Sequence, residues 1–228
     1  MAGDPIIDRL RALDICDLSD ALDALGMAAA VTGLVPTSGV RPIAGRAVTV
    51  QLAAGLAPIA AERRHLCTTA VENAGSDDVI VVEQRSGLDA AAWGGILSRA
   101  ARRRGIAGTI VDGPVRDVEE ANKLDYPVYA RSATARTARG RIHEVATQRP
   151  VRLGETTVSP GDYVAADRSG CVVVPASRIG EVLARAEAIF AKSEAMAAAV
   201  ERGMPVSKVM GGDYESMLEG DASHPKRG

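Results

Sequence analysis

Arg104-Gly-Ile-Ala-Gly-Thr-Ile-Val-Asp-Gly-Pro-Val-Arg-Asp117 is the stretch on which the fold turns. Residues 106–111 are short and apolar, with β-branched side chains, the pattern of a strand buried on both faces. Gly105 closes a helix whose body is Ile96 to Arg104, and Gly94-Gly95 opens it. On the other side, Asp112-Gly113 ends the strand and leads through Arg116-Asp117 into a short helix over residues 115–123. Helix, strand and helix in this order mark a mixed α/β chain.

The pattern extends outward. Pro5 opens a first helix with Ile6, Ile7, Leu10 and Leu13 apolar. Ser19 reads as the N-cap of a second, which Gly26 ends. Residues 31–41 are turn-rich and 47–51 read as a strand. A helix is expected over 58–74 with Gly75 as its stop, then a doubly buried strand over 78–83 and a loop over 84–92. Residues 126–129 form a short strand. From Val145 to Pro175 the chain is β-rich, with candidate strands at 151–153, 156–158, 163–166 and 171–174. Pro160-Gly161-Asp162 and Arg168-Ser169-Gly170 supply turns. A long helix runs from about Ala176 to Arg202 and stops at Gly203 and Pro205. The polar tail from Asp221 is expected to be disordered. With no repeat or linker, the 228 residues read as a single α/β domain with a β-rich core.

Hydrophobic residues make up 46% and aromatics only 3%, so the core must be aliphatic. The net charge of -2, without a long single-sign block, argues against a nucleic-acid partner. Arg102-Arg103-Arg104 reads as a solvated helix end. The chain lacks a run of about 18 apolar residues, so no membrane span is expected. Met1–Pro5 does not read as a signal peptide. Cys16, Cys67 and Cys171 are too scattered for a disulfide framework or zinc knuckle and read as structural, which fits a reducing cytoplasm.

Two pairs carry the chemistry. The first amides of a helix lack internal partners, and at Gly94-Gly95 a ligand can approach them closely, so residues Gly94 to Leu97 suit an anion. A packing turn explains the glycines equally well. Arg116 offers a planar fork for carboxylate or enolate oxygens, and Asp117 offers hard oxygens for Mg2+ or Mn2+. A surface ion pair is the competing reading of that second pair.

Gly95, twenty intervening residues, Arg116-Asp117, two more and then Glu120 resemble the G-x20-R-D-x2-E/D signature of one family. It contains the 4-hydroxy-4-methyl-2-oxoglutarate / 4-carboxy-4-hydroxy-2-oxoadipate aldolases and the RraA-like regulators of ribonuclease activity. Leu18-Ser-Asp-Ala-Leu-Asp-Ala-Leu-Gly26, Ile43-Ala-Gly-Arg-Ala-Val-Thr-Val50, Pro160-Gly-Asp-Tyr-Val-Ala-Ala-Asp167 and Gly170-Cys-Val-Val-Val-Pro175 are similar to further family segments. The resemblance covers residues 15–200. It implies an RraA-like swivelling β/β/α-type core, a mixed β-barrel or sandwich flanked by helices. It also implies homotrimers or hexamers with sites between subunits.

By the same resemblance, Asp117 holds a divalent metal, Mg2+ or Mn2+, and Arg116 contacts the substrate's oxygens. The amides of Gly94, Gly95, Ile96 and Leu97 cradle its carboxylate, and Glu194 resembles the acid that family members offer to the neighbouring subunit, with a solvated helix residue as the competing reading. The implied activity is a class II, metal-dependent lyase acting on a small 2-oxo-acid, by aldol cleavage releasing pyruvate or by oxaloacetate decarboxylation. The family's aldolases carry an acid where this chain has Gly95. Glu120, Asp89, Glu83 or a neighbouring-subunit residue replaces it, or proton transfer is altered, or the chain binds without efficient catalysis. The alternative function is a non-catalytic regulator that binds a ribonuclease or other protein. Methyl transfer is disfavoured, because no glycine-rich strand–loop–helix followed by an acid suits S-adenosylmethionine. His65 reads as a surface or interface residue of an amphipathic helix, Asp112 as a residue bonding its own turn, and Trp93 as a pocket wall or interface residue.

Overall fold

In the computed structural model of the chain, residues 4–27, 30–57 and 64–211 are described. In chain order, α1 (Pro5–Arg11) and α2 (Ile15–Ala24) precede β1 (Val35–Ser38), β2 (Ile43–Ala54), α3 (Thr68–Asn73), β3 (Asp78–Glu83) and α4 (Gly95–Arg104). Then come β4 (Gly108–Val115), α5 (Val118–Lys123), β5 (Val128–Ala133), β6 (Ile142–Thr147), β7 (Val151–Leu153), β8 (Thr156–Val158), β9 (Tyr163–Ala166) and β10 (Cys171–Val174). A 3-10 turn at Ala176–Arg178 leads into α6 (Ile179–Glu201) and α7 (Val206–Val209). No helix among the described residues is long and apolar enough to cross a membrane.

The main sheet runs β1-β5-β4-β3-β2-β9-β10, with β6 also on β2. The neighbours from β2 to β5 are parallel, and the remaining pairings are antiparallel. Strand β2 is long enough to serve two partners along one edge, β9 through Ile43–Arg46 and β6 through Val50–Ala54. The two ends of the sheet meet where Val31 bridges Cys171, each amide donating to the other's carbonyl at 2.6 and 3.1 Å. The sheet is thereby curled into a half-barrel.

Period-two alternation assigns the side chains to cores on either side of the sheet. In β3, Val79 and Val81 enter the concave interior with Ile110, Tyr129, Val164 and Cys171. Ile80 and Val82 face outward onto Trp93, Leu97 and Ala101. A third cluster packs α1, α2 and α6 against Tyr163, Ala165, Val172 and Val174. The hairpin β7–β8 plugs the interior with Val151, Leu153 and Val158. Carboxylates on β3 and β4 hold it there. Glu83 Oε2 accepts from the Arg152 amide at 2.8 Å, and Asp112 Oδ2 accepts from the Gly154 amide at 2.8 Å. Asp112 Oδ1 also accepts from Arg131 Nε at 2.7 Å. Asp112 therefore anchors the hairpin rather than its own turn.

Several boundaries differ from the sequence expectations, each for a local reason. Helix α2 begins four residues before Ser19, with Asp14 as its N-cap, and the Ser19 hydroxyl accepts from the Ala30 amide instead. The turn-rich 31–41 segment contains β1, because β5 offers its edge to residues 35–38. Strand β2 outruns residues 47–51 at both ends, where β9 and β6 pair with it. Of the helix expected over 58–74, residues 58–63 lie outside the described residues, and the helical part is Thr68–Asn73. Strand β4 is displaced toward Val115 because β5 pairs it as far as Val115. The tail from 221 also lies outside the described residues.

Candidate functional site

A cleft of about 320 Å3 opens where the start of α4 meets the end of β4. The loop before α4 is tied to that strand: the Ala92 amide donates to Pro114 O at 2.9 Å and the Arg116 amide to Trp93 O at 3.0 Å. Trp93 forms part of the cleft wall but is itself buried. Its indole Nε1 donates to Ser98 Oγ at 2.9 Å, and its ring stacks on Tyr126 at 6.4 Å between centroids.

Asp117 stands at the N-cap of α5 in the left-handed region, φ 56° and ψ 37°. Among non-glycine residues Asp is one of the few that tolerate this conformation, which clusters at functional sites. The turn sends the carboxylate back to α4, where Oδ2 accepts from the Gly95 amide at 3.0 Å and from Arg116 Nε at 3.3 Å. The positive end of the α4 dipole adds to the attraction. A side chain at Gly94 would crowd this contact, since a Cβ there would lie 2.9 Å from Asp117 Oδ2. At Gly95 the space is already taken: a Cβ would collide with Glu120 Oε2. The other oxygen of Glu120 accepts from Arg99 Nη2 at 2.7 Å.

Gly94, Gly95, Ile96, Leu97, Arg116 and Asp117 all line this one cleft. Their roles divide differently from expectation. The Gly95 amide holds Asp117, whereas the amides of Gly94, Ile96 and Leu97 find no acceptor among the described residues. Glu194 is not in the cleft. It lies on α6 near Asp17, whose pKa it helps to raise. Of the acids considered for the Gly95 position, Glu83 is turned to the hairpin and Asp89 pairs with Arg136 at 3.4 Å. Glu120 is the one beside Gly95.

The structure adds His65, Thr68, Thr137 and Arg139 to the lining. His65 precedes α3 and faces the cleft, rather than riding on an amphipathic helix. Burial holds its pKa below the ordinary histidine value, the positive charges of Arg139 and Arg116 push it the same way, and Glu144 opposes them. Arg139 makes no ion pair among the described residues. The one cue to it was a basic residue in an irregular stretch beyond a strand of the parallel sheet.

Asp117 Oδ1 has no hydrogen-bond partner among the described residues, and the side chain is 40% exposed. No three His, Cys, Asp or Glu side chains converge as a metal-ligand group among them. Asp117 Oδ1 is thus a single hard oxygen open to the cleft, the kind of donor a Mg2+ ion takes only together with ligand oxygens and water.

Residues 15–173 match a family model described as RraA-like, Aldolase/RraA. Protein DlpA of Legionella pneumophila is 29% identical over 87% of the chain, which spans only 32% of that longer protein. A Halalkalibacterium halodurans protein provisionally named a 4-hydroxy-4-methyl-2-oxoglutarate aldolase is 30% identical, over 85% of this chain and 88% of its own. Among solved structures, Streptomyces coelicolor RraAS2, described as an unusual member of the RNase ES inhibitor RraA family, superimposes with a TM-score of 0.74. It is 25% identical over 85% of this chain and 96% of its own.

Proposed function

The chain belongs to the RraA-like family, and on that premise we propose that it is a lyase acting on a small 2-oxo-acid, by aldol cleavage or β-decarboxylation. The observation that carries this reading is the meeting of Arg116, Asp117 and the unpaired amides at the start of α4 in one cleft. Those amides receive the substrate's carboxylate, helped by the helix dipole. Arg116 donates to the oxygen on which negative charge grows as the C–C bond breaks. Both reactions leave the enolate of pyruvate, so the same residues serve either one. A divalent cation held on Asp117, Mg2+ or Mn2+, would supply Lewis acidity toward the 2-oxo oxygen. Glu120 takes the place of the acid that Gly95 lacks and manages the proton from the α5 side. Arg139 and His65 stand ready for a second anionic group on the substrate.

Incubation with a panel of 2-oxo-acids, with and without Mg2+ or Mn2+, tests the proposal by pyruvate release. Asp117→Ala and Arg116→Ala should each lower kcat/KM by about 100-fold or more, the scale seen when a charge-stabilising group is removed. Full activity in Asp117→Ala would sink the metal assignment. A homotrimer or hexamer completes the proposal, with Glu194 of one subunit approaching the cleft of the next.

The likeness to RraAS2 favours one second reading, a regulator that binds a ribonuclease. It calls for a stable complex that survives Arg116→Ala, together with no turnover on any 2-oxo-acid.

A further inference from the structure

A second cavity, of about 240 Å3, opens at the opposite end of the parallel strands, by the start of β2 and the approach to β4. It shares no lining residue with the cleft at Arg116 and Asp117. Three arginines from separate elements line it: Arg11 at the end of α1, Arg41 before β2 and Arg102 in the last turn of α4. Ser76 joins them, and no acidic residue is part of the wall.

These cations are only loosely engaged. Arg11 reaches Asp8 at 3.4 Å and Ala44 O at 3.5 Å, and Arg41 reaches Asp125 at 3.3 Å. A tight charge-assisted bond of this kind measures about 2.7–2.9 Å. Asp8 and Asp125 are turned to solvent, with side chains 69% and 68% exposed. Arg102 Nε donates to Leu124 O at 3.2 Å and makes no ion pair among the described residues. The Ser76 hydroxyl has no partner among them either. The carbonyls ending α4 oppose an anion with roughly half an elementary charge. Arg102, which has no carboxylate partner among the described residues, offsets that, and an anion that draws Arg11 and Arg41 from the solvent-exposed Asp8 and Asp125 adds two more positive charges.

We propose that this cavity is a binding site for a phosphoryl group, free or carried by a small molecule. One guanidinium fork satisfies the two oxygens of a carboxylate, whereas forks arriving from three directions suit a tetrahedral dianion with more acceptors. The volume is below the roughly 300–1,000 Å3 of sites that enclose drug-sized ligands, so the occupant is small or only its phosphoryl end enters. The inference does not depend on the lyase reading, because the two sites have no residue in common.

Calorimetric titration of inorganic pyrophosphate and of ADP into the protein in metal-free buffer tests it, with malonate as the carboxylate control. At least one of the two phosphoryl probes should bind saturably, and malonate, which suits the cleft at Arg116, should not bind to the Arg116→Gln variant. Arg41→Gln and Arg102→Gln should each weaken binding at least about tenfold, as loss of a charged hydrogen bond would. Arg116→Gln should leave it unchanged. Pyrophosphate binding alone identifies a free anion, and equal binding of ADP identifies a carried one. Thermal unfolding confirms that each variant is folded, and Arg102→Lys, which keeps the charge, should retain part of the affinity. The proposal is overturned by no saturable binding of either probe, by equal binding of malonate to the Arg116→Gln variant, or by binding that Arg116→Gln abolishes and Arg102→Gln spares.

Discussion

Gly95 and Glu120 exclude alternatives for each other. A carboxylate beside the start of α4 can come from a side chain at position 95 or from α5, but a Cβ at 95 meets Glu120 Oε2, so a side chain there must displace the Glu120 carboxylate from its place and from Arg99. Gly95→Asp should therefore destabilise the fold by about 1 kcal/mol, the low end of the range for overpacking, because the Glu120 carboxylate must swing away and faces a like charge. Removing the obstruction in Gly95→Asp/Glu120→Ala should recover most of that loss. Thermal unfolding of the wild type, both single variants and the double variant measures the coupling, and purely additive changes would contradict it. The spacing of Gly95, Arg116, Asp117 and Glu120 was legible as a group in the sequence. Which carboxylate stands beside Gly95 was not, because it depends on where α5 points, and the left-handed turn at Asp117 sets that. His65 was illegible for a similar reason. Its place in the cleft comes from the packing of the segment before α3, not from any local pattern.

The contact between α2 and α6 holds an electrostatic cost. Asp17 is 8% exposed, and burial raises its pKa first, followed by the nearby charges of Asp14, Asp20 and Glu194. The Ser193 hydroxyl, donating at 3.4 Å, offsets this only in part. A carboxyl whose pKa is higher folded than unfolded binds protons more readily in the folded state, so its presence costs stability as pH rises through and above that window. Asp17→Asn should accordingly raise Tm at pH 7, and the gain should shrink as the pH is lowered toward 3.8, the ordinary Asp value. Differential scanning calorimetry across that range decides it, and a gain independent of pH would exclude the electrostatic cause. Elements were legible where burial is symmetric, as in β3, whose apolar run needs no partner to be recognised. They were misjudged where a partner sets the length. Strand β2 is extended at both ends by β9 and β6, and α2 starts at Ile15 because its first turn packs Ile15 and Leu18 into the core.

At the scale of the molecule, the α/β class followed from apolar strands alternating with helices, but the closure of the sheet did not. The pairing of β2 with β9 and the bridge from Val31 to Cys171 join segments far apart in the chain, and no local spacing encodes them. That closure has a consequence for biosynthesis. A chain leaves the ribosome from its N-terminus, so β2 is made well before β9, and until then Ile43–Arg46 expose unpaired backbone along one edge. A nascent chain in that state can pair with another of its kind. Slowing elongation between β2 and β9 with rare codons should therefore lower the soluble fraction, as measured by sedimentation of lysates. A chain truncated before β9 should sediment at any elongation rate, because the strand that completes that edge is never made.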